Sequence, residues 1–288
     1  MTTEDTAPAA KPSLATWARI TLMILAYLTA SAIFQFVAAL IAHIPLMDLN
    51  AMNSLGISKL LILQLFGFLP LIPLVYCFRK FVDKASIASI GFQIQNRLTD
   101  MLAGLLIAVF ILGGGTLVLY SLGYIGLSRS GTGIQMLLPA FCLFIIVSLN
   151  EEILFRGYIL NNLLSSTNKF TALLISAAIF TIFHLLNFNI SVLAVVNLML
   201  AGMLLGGAYI FTRNLWFSLS LHLFWNFFQG PVLGYEVSGQ KMDSVFSIKT
   251  TGNAMIHGGG FGFEGSIVCT IMVSITVALV LAFFSKRR

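Results

Sequence analysis

Long apolar stretches fill most of the chain and are separated by short polar segments. A helix that crosses a membrane needs about 20 mostly apolar residues, so the pattern predicts eight membrane-spanning helices. They cover residues 16–44, 58–78, 102–125, 135–164, 170–186, 190–212, 215–229 and 265–284. The fifth and seventh are short and interrupted by polar residues, as expected for helices that line a site and are shielded from lipid by their neighbours.

The composition points to the same class of protein. Hydrophobic residues make up 58% of the 288 residues and charged residues only 9%, with a mean hydropathy of +0.97, whereas a soluble domain has about 25% charged residues. We therefore predict an all-α fold, a polytopic transmembrane helical bundle of about eight spans in which any functional site is buried between helices. Residues 14–288 are expected to form a single domain, and the polar residues 1–13 a disordered cytoplasmic tail.

The basic residues predict how the bundle is oriented. The net charge is +6, but the basic residues are scattered at the ends of apolar stretches and form no patch that would bind nucleic acid. Of the 16 Lys and Arg residues, eleven lie at predicted inner ends, four at outer ends and one, Arg156, inside a span. The positive-inside rule then places both termini in the cytoplasm, and the apolar surface faces the lipid bilayer.

Two adjacent acids, Glu151 and Glu152, lie inside the fourth predicted span, with Arg156 one turn later. A charge at bilayer depth costs roughly 2.5–3.5 kcal/mol on insertion scales, so it usually marks a functional site. Glu152 and Arg156 are spaced i,i+4, which favours an ion pair on one helical face. Glu151 is rotated by about 100° and faces elsewhere. A packing ion pair would explain Glu152 and Arg156 but would leave Glu151 without a role.

Two further predicted spans each carry a histidine. Phe180 and His184 share one helical face, and His222 and Asn226 share another. Counting the helix rise from the basic ends of the spans places these residues and the acids at a similar depth. A lone histidine in an apolar helix is more often a hydrogen-bonded interior residue. Together, however, these groups supply the base, the acid and the oxyanion donors that amide hydrolysis needs, without a Ser or Cys nucleophile.

Three motifs in this order resemble those of the CAAX protease and bacteriocin-processing family of intramembrane proteases. This family is also called the Abi family and includes the Ras-converting CAAX endopeptidases. The motifs are Glu151-Glu152-x-x-x-Arg156, Phe180-x-x-x-His184 and His222-x-x-x-Asn226. The resemblance covers about residues 137–229, the expected catalytic core. The segment 213–222 resembles the lead-in of bacterial members, which implies a multi-pass protein of a bacterial cytoplasmic membrane.

The resemblance implies a role for each motif residue. Glu151 with His184 would polarise the attacking water, and His222 with Asn226 would stabilise the oxyanion. The neighbouring ion pair would hold the acid-bearing helix in place, with Phe180 as further support. The implied activity is that of an endopeptidase that hydrolyses bonds in membrane-associated or small peptides. The physiological substrate and the oligomeric state stay open.

A metal ion is an alternative way to activate water. The chain has no H-E-x-x-H motif, and its candidate histidines lie on two different predicted helices. Zinc or another divalent metal held by Glu151, His184 and His222 is chemically allowed. We favour activation of water by Glu and His without a permanently bound cofactor.

Two other functions are compatible with buried polar residues. One is a non-catalytic bacteriocin-immunity or peptide-binding membrane protein, and the other is a transporter or proton-relay channel, although no inverted repeat or pair of interrupted helices is evident. The loop 230–264 is predicted to be a connection rather than a lid over the site. His257 and Glu264 within it are expected to be solvated or interfacial.

Overall fold

The computed structural model of the chain describes residue 12, residues 14–131 and residues 134–286. The predicted tail, residues 1–13, therefore lies outside the described residues except for Pro12. The described part is a bundle of helices with one small two-stranded sheet, which confirms the predicted all-α polytopic bundle.

Twelve α-helices, three π-helical segments and two strands follow one another in the described residues. The α-helices are α1 Thr16–Ile41, α2 Leu49–Asn53, α3 Ile57–Phe68, α4 Leu71–Cys77, α5 Leu98–Ser121, α6 Leu137–Glu152, α7 Asn161–Leu163, α8 Lys169–Phe183, α9 Val192–Thr212, α10 Trp216–Phe227, α11 Ala254–His257 and α12 Ile267–Lys286. The π-helical segments are Phe78–Val82, Ile153–Leu160 and Phe228–Val232, and the strands are β1 Ile125–Arg129 and β2 Phe246–Thr250. Short 3-10 turns, such as Ile87–Ile90, join some of these elements.

Six of the eight predicted spans correspond to helical stretches that are long and apolar enough to cross a membrane. These are Thr16–Ile41, Ile57–Val82, Leu98–Ser121, Ile134–Leu163, Val192–Thr212 and Ile267–Lys286. The predicted fifth and seventh spans are α8, with 15 residues, and α10, with 12 residues. The predicted eight helices therefore separate into six full-length spans and two short helices, and the short ones are those that carry the histidine motifs.

Helix α10 lies inside the bundle, whereas α8 buries one face and exposes Leu174 and Ile182 on the other. The predicted shielding by neighbouring helices therefore holds for α10 and for only one face of α8. Helix α8 packs against α9, and α10 packs against α5 and α6.

Glycines allow both helix pairs to approach closely. A Cβ on Gly104 of α5 would lie only 2.7 Å from the Leu221 nitrogen, and one on Gly202 of α9 only 2.9 Å from the Ala177 Cα, so a larger residue at either position would clash. Small residues at helix contacts are a general means of close packing in membranes. This close packing brings the histidine-bearing helices to the acid-bearing helix.

One end of the bundle is covered by a folded segment, residues 233–266, which we call the cap. Strand β2 of the cap pairs antiparallel with β1, with Ile125 opposite Thr250. Gln240 Nε2 in the cap donates a hydrogen bond of 2.8 Å to the Asn53 carbonyl in α2. The cap is therefore tied to two other parts of the chain and is more than a flexible connection.

A buried ionic cluster ties three helical stretches together at the other end. Asp83 accepts hydrogen bonds from Arg19 Nη1 at 2.6 Å and from Arg79 Nη1 at 3.1 Å. Arg19 Nη1 also donates to Asn162 Oδ1 at 2.7 Å. All four side chains are buried. Removing Asp83 would leave two buried arginines without a counter-ion. The bonds of Arg19 to Asp83 and Asn162 fix α1 against the stretch that carries the two acids.

Candidate active site

The two acids lie at the end of α6, immediately before the π-helical segment Ile153–Leu160. π-Helical segments are rare in proteins, and those that occur are often found at functional sites. The two carboxylates point to different surroundings, as predicted from their 100° separation. Glu152 is completely buried, whereas the Glu151 side chain is 24% exposed and lines a cavity.

The Glu152 carboxylate holds two partners. Its Oε1 accepts a hydrogen bond of 2.9 Å from Arg156 Nη1 and another of 2.8 Å from His222 Nδ1. The predicted ion pair with Arg156 is therefore present. The contact with His222 was not predicted, because these two residues are 70 positions apart and no local pattern signals it.

The hydrogen bonds of the two imidazoles determine which nitrogen carries the proton in the neutral ring. His184 Nδ1 lies 2.8 Å from the Phe180 carbonyl, and a carbonyl only accepts, so Nδ1 is the donor. His222 Nδ1 likewise donates to the Glu152 carboxylate. In both rings Nε2 is then an acceptor, and each Nε2 lies 3.8 Å from Glu151 Oε2.

Three acceptor atoms therefore lie close together, namely Glu151 Oε2 and the Nε2 atoms of His184 and His222. The separations of 3.8 Å are longer than a hydrogen bond, and Oε2 is buried without a hydrogen-bond partner among the described residues. Buried polar atoms are almost always satisfied by protein or by water. A water molecule between the carboxylate and the two imidazoles would supply the missing donor, so the arrangement suits a bound water.

The same three residues were the predicted metal ligands. Zinc is bound by imidazole nitrogen and carboxylate oxygen, so Glu151, His184 and His222 present suitable atom types. Within residues 14–131 and 134–286, however, no three His, Cys, Asp or Glu side chains are arranged so that they could hold a metal ion. The side chains as they lie are therefore not arranged around a metal ion.

Asn226 lies one helical turn beyond His222 and faces the same cavity. Its amide makes no side-chain hydrogen bond to any other described residue, so it can donate to a carbonyl oxygen of a ligand. The cavity has a volume of about 400 Å³, within the usual range for small-ligand sites of roughly 300–1,000 Å³. Most of its wall is aromatic or aliphatic, including Phe144, Phe155, Phe180, Leu198 and Leu204.

Phe180 packs between the charged and the imidazole parts of the site. Its ring centroid lies 4.7 Å from Arg156 Cζ and 4.4 Å from the centroid of the His184 ring. Arg156 Nη2 also donates to the Gly202 carbonyl at 3.2 Å. A cation over an aromatic face is attracted by the ring quadrupole. Phe180 and Arg156 therefore pack together beneath His184, in positions that suit the supporting role predicted for them.

Tyr27 and Asn150 are among the polar residues of the cavity wall that the motif pattern missed. Tyr27 of α1 lines the cavity, and its hydroxyl accepts a hydrogen bond of 2.8 Å from Asn150 Nδ2. Asn150 immediately precedes Glu151, and its position beside the acids is the one sequence signal that could have identified it. The first span therefore contributes to the site although it contains no recognisable motif.

The cap also forms part of the cavity wall. Val237, Ser238, Gln240 and Met242 line the cavity, and so does Glu264. The expected solvated or interfacial position of Glu264 is therefore wrong, because its carboxylate accepts hydrogen bonds inside the protein. His257 is also buried, at 6% exposure, because Gly-rich turns fold this part of the chain back onto the bundle.

Comparison with known proteins agrees with the motif pattern. The model of the Rce1-like type II CAAX prenyl endopeptidase family matches residues 133–228. The resemblance to CAAX proteases is confirmed. The matched segment contains both acids, both cavity histidines and Asn226. No curated protein matches the chain significantly. The family match, together with the six apolar spans, indicates peptide-bond hydrolysis by a multi-pass membrane protein.

Proposed function

We propose that the protein is an intramembrane endopeptidase in which Glu151, His184 and His222 surround the water molecule that attacks the substrate. The observation that carries this proposal is the meeting of three acceptor atoms, with each imidazole Nε2 3.8 Å from Glu151 Oε2. The site lies beside a cavity large enough for a short peptide segment. A packing role alone gives no reason for this convergence.

The first step forms a bond between the water oxygen and the substrate carbonyl carbon. Water donates one hydrogen bond to Glu151 and the other to His184, and Glu151 removes a proton as the oxygen attacks. The carbonyl oxygen becomes an oxyanion. The Asn226 amide donates to this oxyanion, and so does His222 when its Nε2 is protonated.

The second step breaks the carbon–nitrogen bond. The electron pair of that bond leaves with the nitrogen, which takes up the proton that Glu151 received from water. The products are a carboxylic acid and an amine, so one water is consumed and Glu151 returns to its charged form. A positioned acid and base of this kind typically accelerate a reaction by about 10²–10⁴-fold.

Protonation of His222 would also balance the charges of the site. Glu151 and Glu152 carry two negative charges and Arg156 one positive charge, so the cluster has an excess of one negative charge when both imidazoles are neutral. A proton on His222 would remove this excess. Its ring would remain oriented by the 2.8 Å hydrogen bond from Nδ1 to Glu152.

The cavity wall favours apolar substrate residues next to the scissile bond, because aromatic and aliphatic side chains dominate it. We therefore propose a membrane-associated or small apolar peptide as substrate. The distribution of basic residues supports an orientation with both termini in the cytoplasm. The cap would then face the outer side of the membrane.

The test compares cells that produce the wild-type protein with cells that produce Glu151→Gln. Mass spectrometry of new peptide N-termini in the membrane and secreted fractions identifies products that need the wild type. Synthetic peptides that span those cleavage points are then incubated with the two purified proteins in liposomes. The expected result is cleavage by the wild type and a rate at least about 10²-fold lower for the variant.

Two outcomes would overturn the proposal. Identical products from both proteins would show that Glu151 takes no part in the reaction. If the variant cleaves nothing but still protects cells from a bacteriocin as well as the wild type does, the function is instead immunity or peptide binding.

A further inference from the structure

A single carboxylate joins the cap to the helix that carries two of the proposed catalytic residues. Glu264 Oε1 accepts a hydrogen bond of 3.1 Å from Trp225 Nε1 in α10. Its Oε2 accepts two more from Ser238, one of 2.8 Å from the backbone N–H and one of 2.9 Å from Oγ. Hydrogen bonds to a charged acceptor are about twice as strong as neutral ones.

We call these three hydrogen bonds to the Glu264 carboxylate the joint. The joint lies in the wall of the proposed active site. Trp225, Ser238 and Glu264 all line the cavity that contains Glu151, and Trp225 immediately precedes Asn226. The Glu264 carboxylate therefore connects the part of the wall made by α10 with the part made by residues 237–240. Neither Ser238 nor Glu264 lies within the segment that matches the family.

One side of this joint is fixed and the other side is a strained turn. Asn197 Nδ2 of α9 donates to the Glu264 carbonyl at 2.7 Å, which holds the backbone of that residue against the bundle. Residues 237–240 form a tight turn with positive φ at Ser238 (48°) and Gly239 (84°). A non-glycine residue at positive φ is costly unless its surroundings hold it there. The bonds from Ser238 to Glu264 provide that constraint at the strained residue, while Gln240 ties the end of the turn to α2.

We propose that Glu264 is a positioning residue for the hydrolysis, which holds the 237–240 turn against the cavity and fixes Trp225 beside Asn226. This inference rests on the proposed protease function. When the carboxylate is lost, the turn moves away from the bound peptide and the substrate loses one wall of its site. The Trp225 indole also loses its hydrogen-bond partner.

The main test uses Glu264→Gln with Glu236→Gln as its matched control. A glutamine at position 264 has one acceptor oxygen and one amide donor group, so it cannot accept from both Trp225 and Ser238. Glu236 lies in the same cap but does not line the cavity. Burial raises the pKa of the Glu236 carboxyl, so an uncharged amide should be tolerated there.

The expected kinetic result is a roughly 10- to 100-fold lower kcat/KM for Glu264→Gln, since hydrogen bonds to a charged group are lost, with a raised KM as part of the change. A purely structural effect would reduce the amount of active protein and hence the apparent kcat, and would leave KM unchanged. Ser238→Ala, which removes only one of the three hydrogen bonds, should give a smaller change in the same direction. If Glu264→Gln folds poorly, Ser238→Ala still tests the role of these hydrogen bonds.

A second measurement follows the turn without depending on catalysis. Met242→Cys places a thiol in the cavity wall of the cap, in a background in which Cys77, Cys142 and Cys269 are replaced by Ala. Labelling by a membrane-impermeant maleimide should be at least several-fold faster with Glu264→Gln than with Glu236→Gln. Equal labelling rates, or an unchanged KM, would overturn the proposed role of Glu264. If the wild type cleaves nothing, the labelling rates still test the joint, so the two proposals can fail separately.

Discussion

Glu151→Gln and Glu152→Gln are chemically identical changes at neighbouring positions, and they should have opposite consequences. Glu152 is completely buried and its Oε1 holds both Arg156 and His222. Glu151 is partly exposed to the cavity, and its buried Oε2 has no hydrogen-bond partner among the residues described. We expect the first change to abolish catalysis without unfolding the protein, and the second to destabilise the fold.

The size of each effect follows from these contacts. Neutralising Glu152 leaves the charge of Arg156, whose side chain is only 1% exposed, without its counter-ion. Breaking a buried pair from one side costs roughly 3–5 kcal/mol, a large part of a typical stability of about 5–15 kcal/mol. Glu151→Gln removes no protein hydrogen bond, so we expect a change below about 1 kcal/mol in stability. The loss of the general base should lower the rate by about 10²–10⁴-fold.

Both quantities are measured on the same preparations in identical detergent micelles. Thermal unfolding gives the stability of each variant relative to the wild type, and initial rates on one synthetic peptide give the activity. The reasoning is refuted if Glu152→Gln unfolds at the wild-type temperature, or if Glu151→Gln retains the wild-type rate. A similar loss of stability in both variants would also contradict it, because only one carboxylate holds buried partners.

Three further predictions address the rest of the site. Arg156→Lys should lower stability by roughly 1–3 kcal/mol in thermal unfolding, because a lysine cannot reproduce both the two hydrogen bonds and the guanidinium contact with the Phe180 ring; full stability would show that a point charge is sufficient. Tyr27→Phe should reduce the cleavage rate less than about 10-fold and lower stability by roughly 0.5–1.5 kcal/mol, since Asn150 loses one hydrogen bond; an inactive but stable variant would instead place the hydroxyl in the chemistry. Dialysis against EDTA should leave the cleavage rate unchanged, and a rate restored only by added zinc would contradict the metal-free mechanism.

Local sequence patterns were sufficient for the long apolar helices and for part of the site. Apolar stretches of about 20 residues identify spans because the thickness of the bilayer sets their length. The i,i+4 spacing of Glu152 and Arg156 predicted their ion pair for the same kind of local reason. The polar interruptions that made two spans look short marked the helices of His184 and His222, which bring both imidazoles to the acid-bearing helix.

Contacts between distant segments could not be predicted in this way. The hydrogen bond from His222 to Glu152 depends on how closely α10 approaches α6, and no spacing within either helix encodes that approach. The same holds for Tyr27, an ordinary residue of an apolar span until α1 is placed beside the acids. The cap has neither helical nor strand periodicity over most of its length, so its fold depends on turns and on the Glu264 carboxylate.

The two adjacent acids act on opposite sides of one imidazole ring. Glu152 holds Nδ1 of His222 at 2.8 Å from the interior, and Glu151 faces Nε2 of the same ring at 3.8 Å from the cavity. One helix can supply both carboxylates only because neighbouring residues are rotated by about 100°. A proton on the His222 ring therefore lies between the negative charges of Glu151 and Glu152. With His222 protonated, the four side chains begin at zero net charge, and the proton that Glu151 takes from water is balanced by the negative charge of the oxyanion. The site with its substrate therefore stays neutral during the proposed reaction, which limits the cost of performing acid–base chemistry within an apolar bundle.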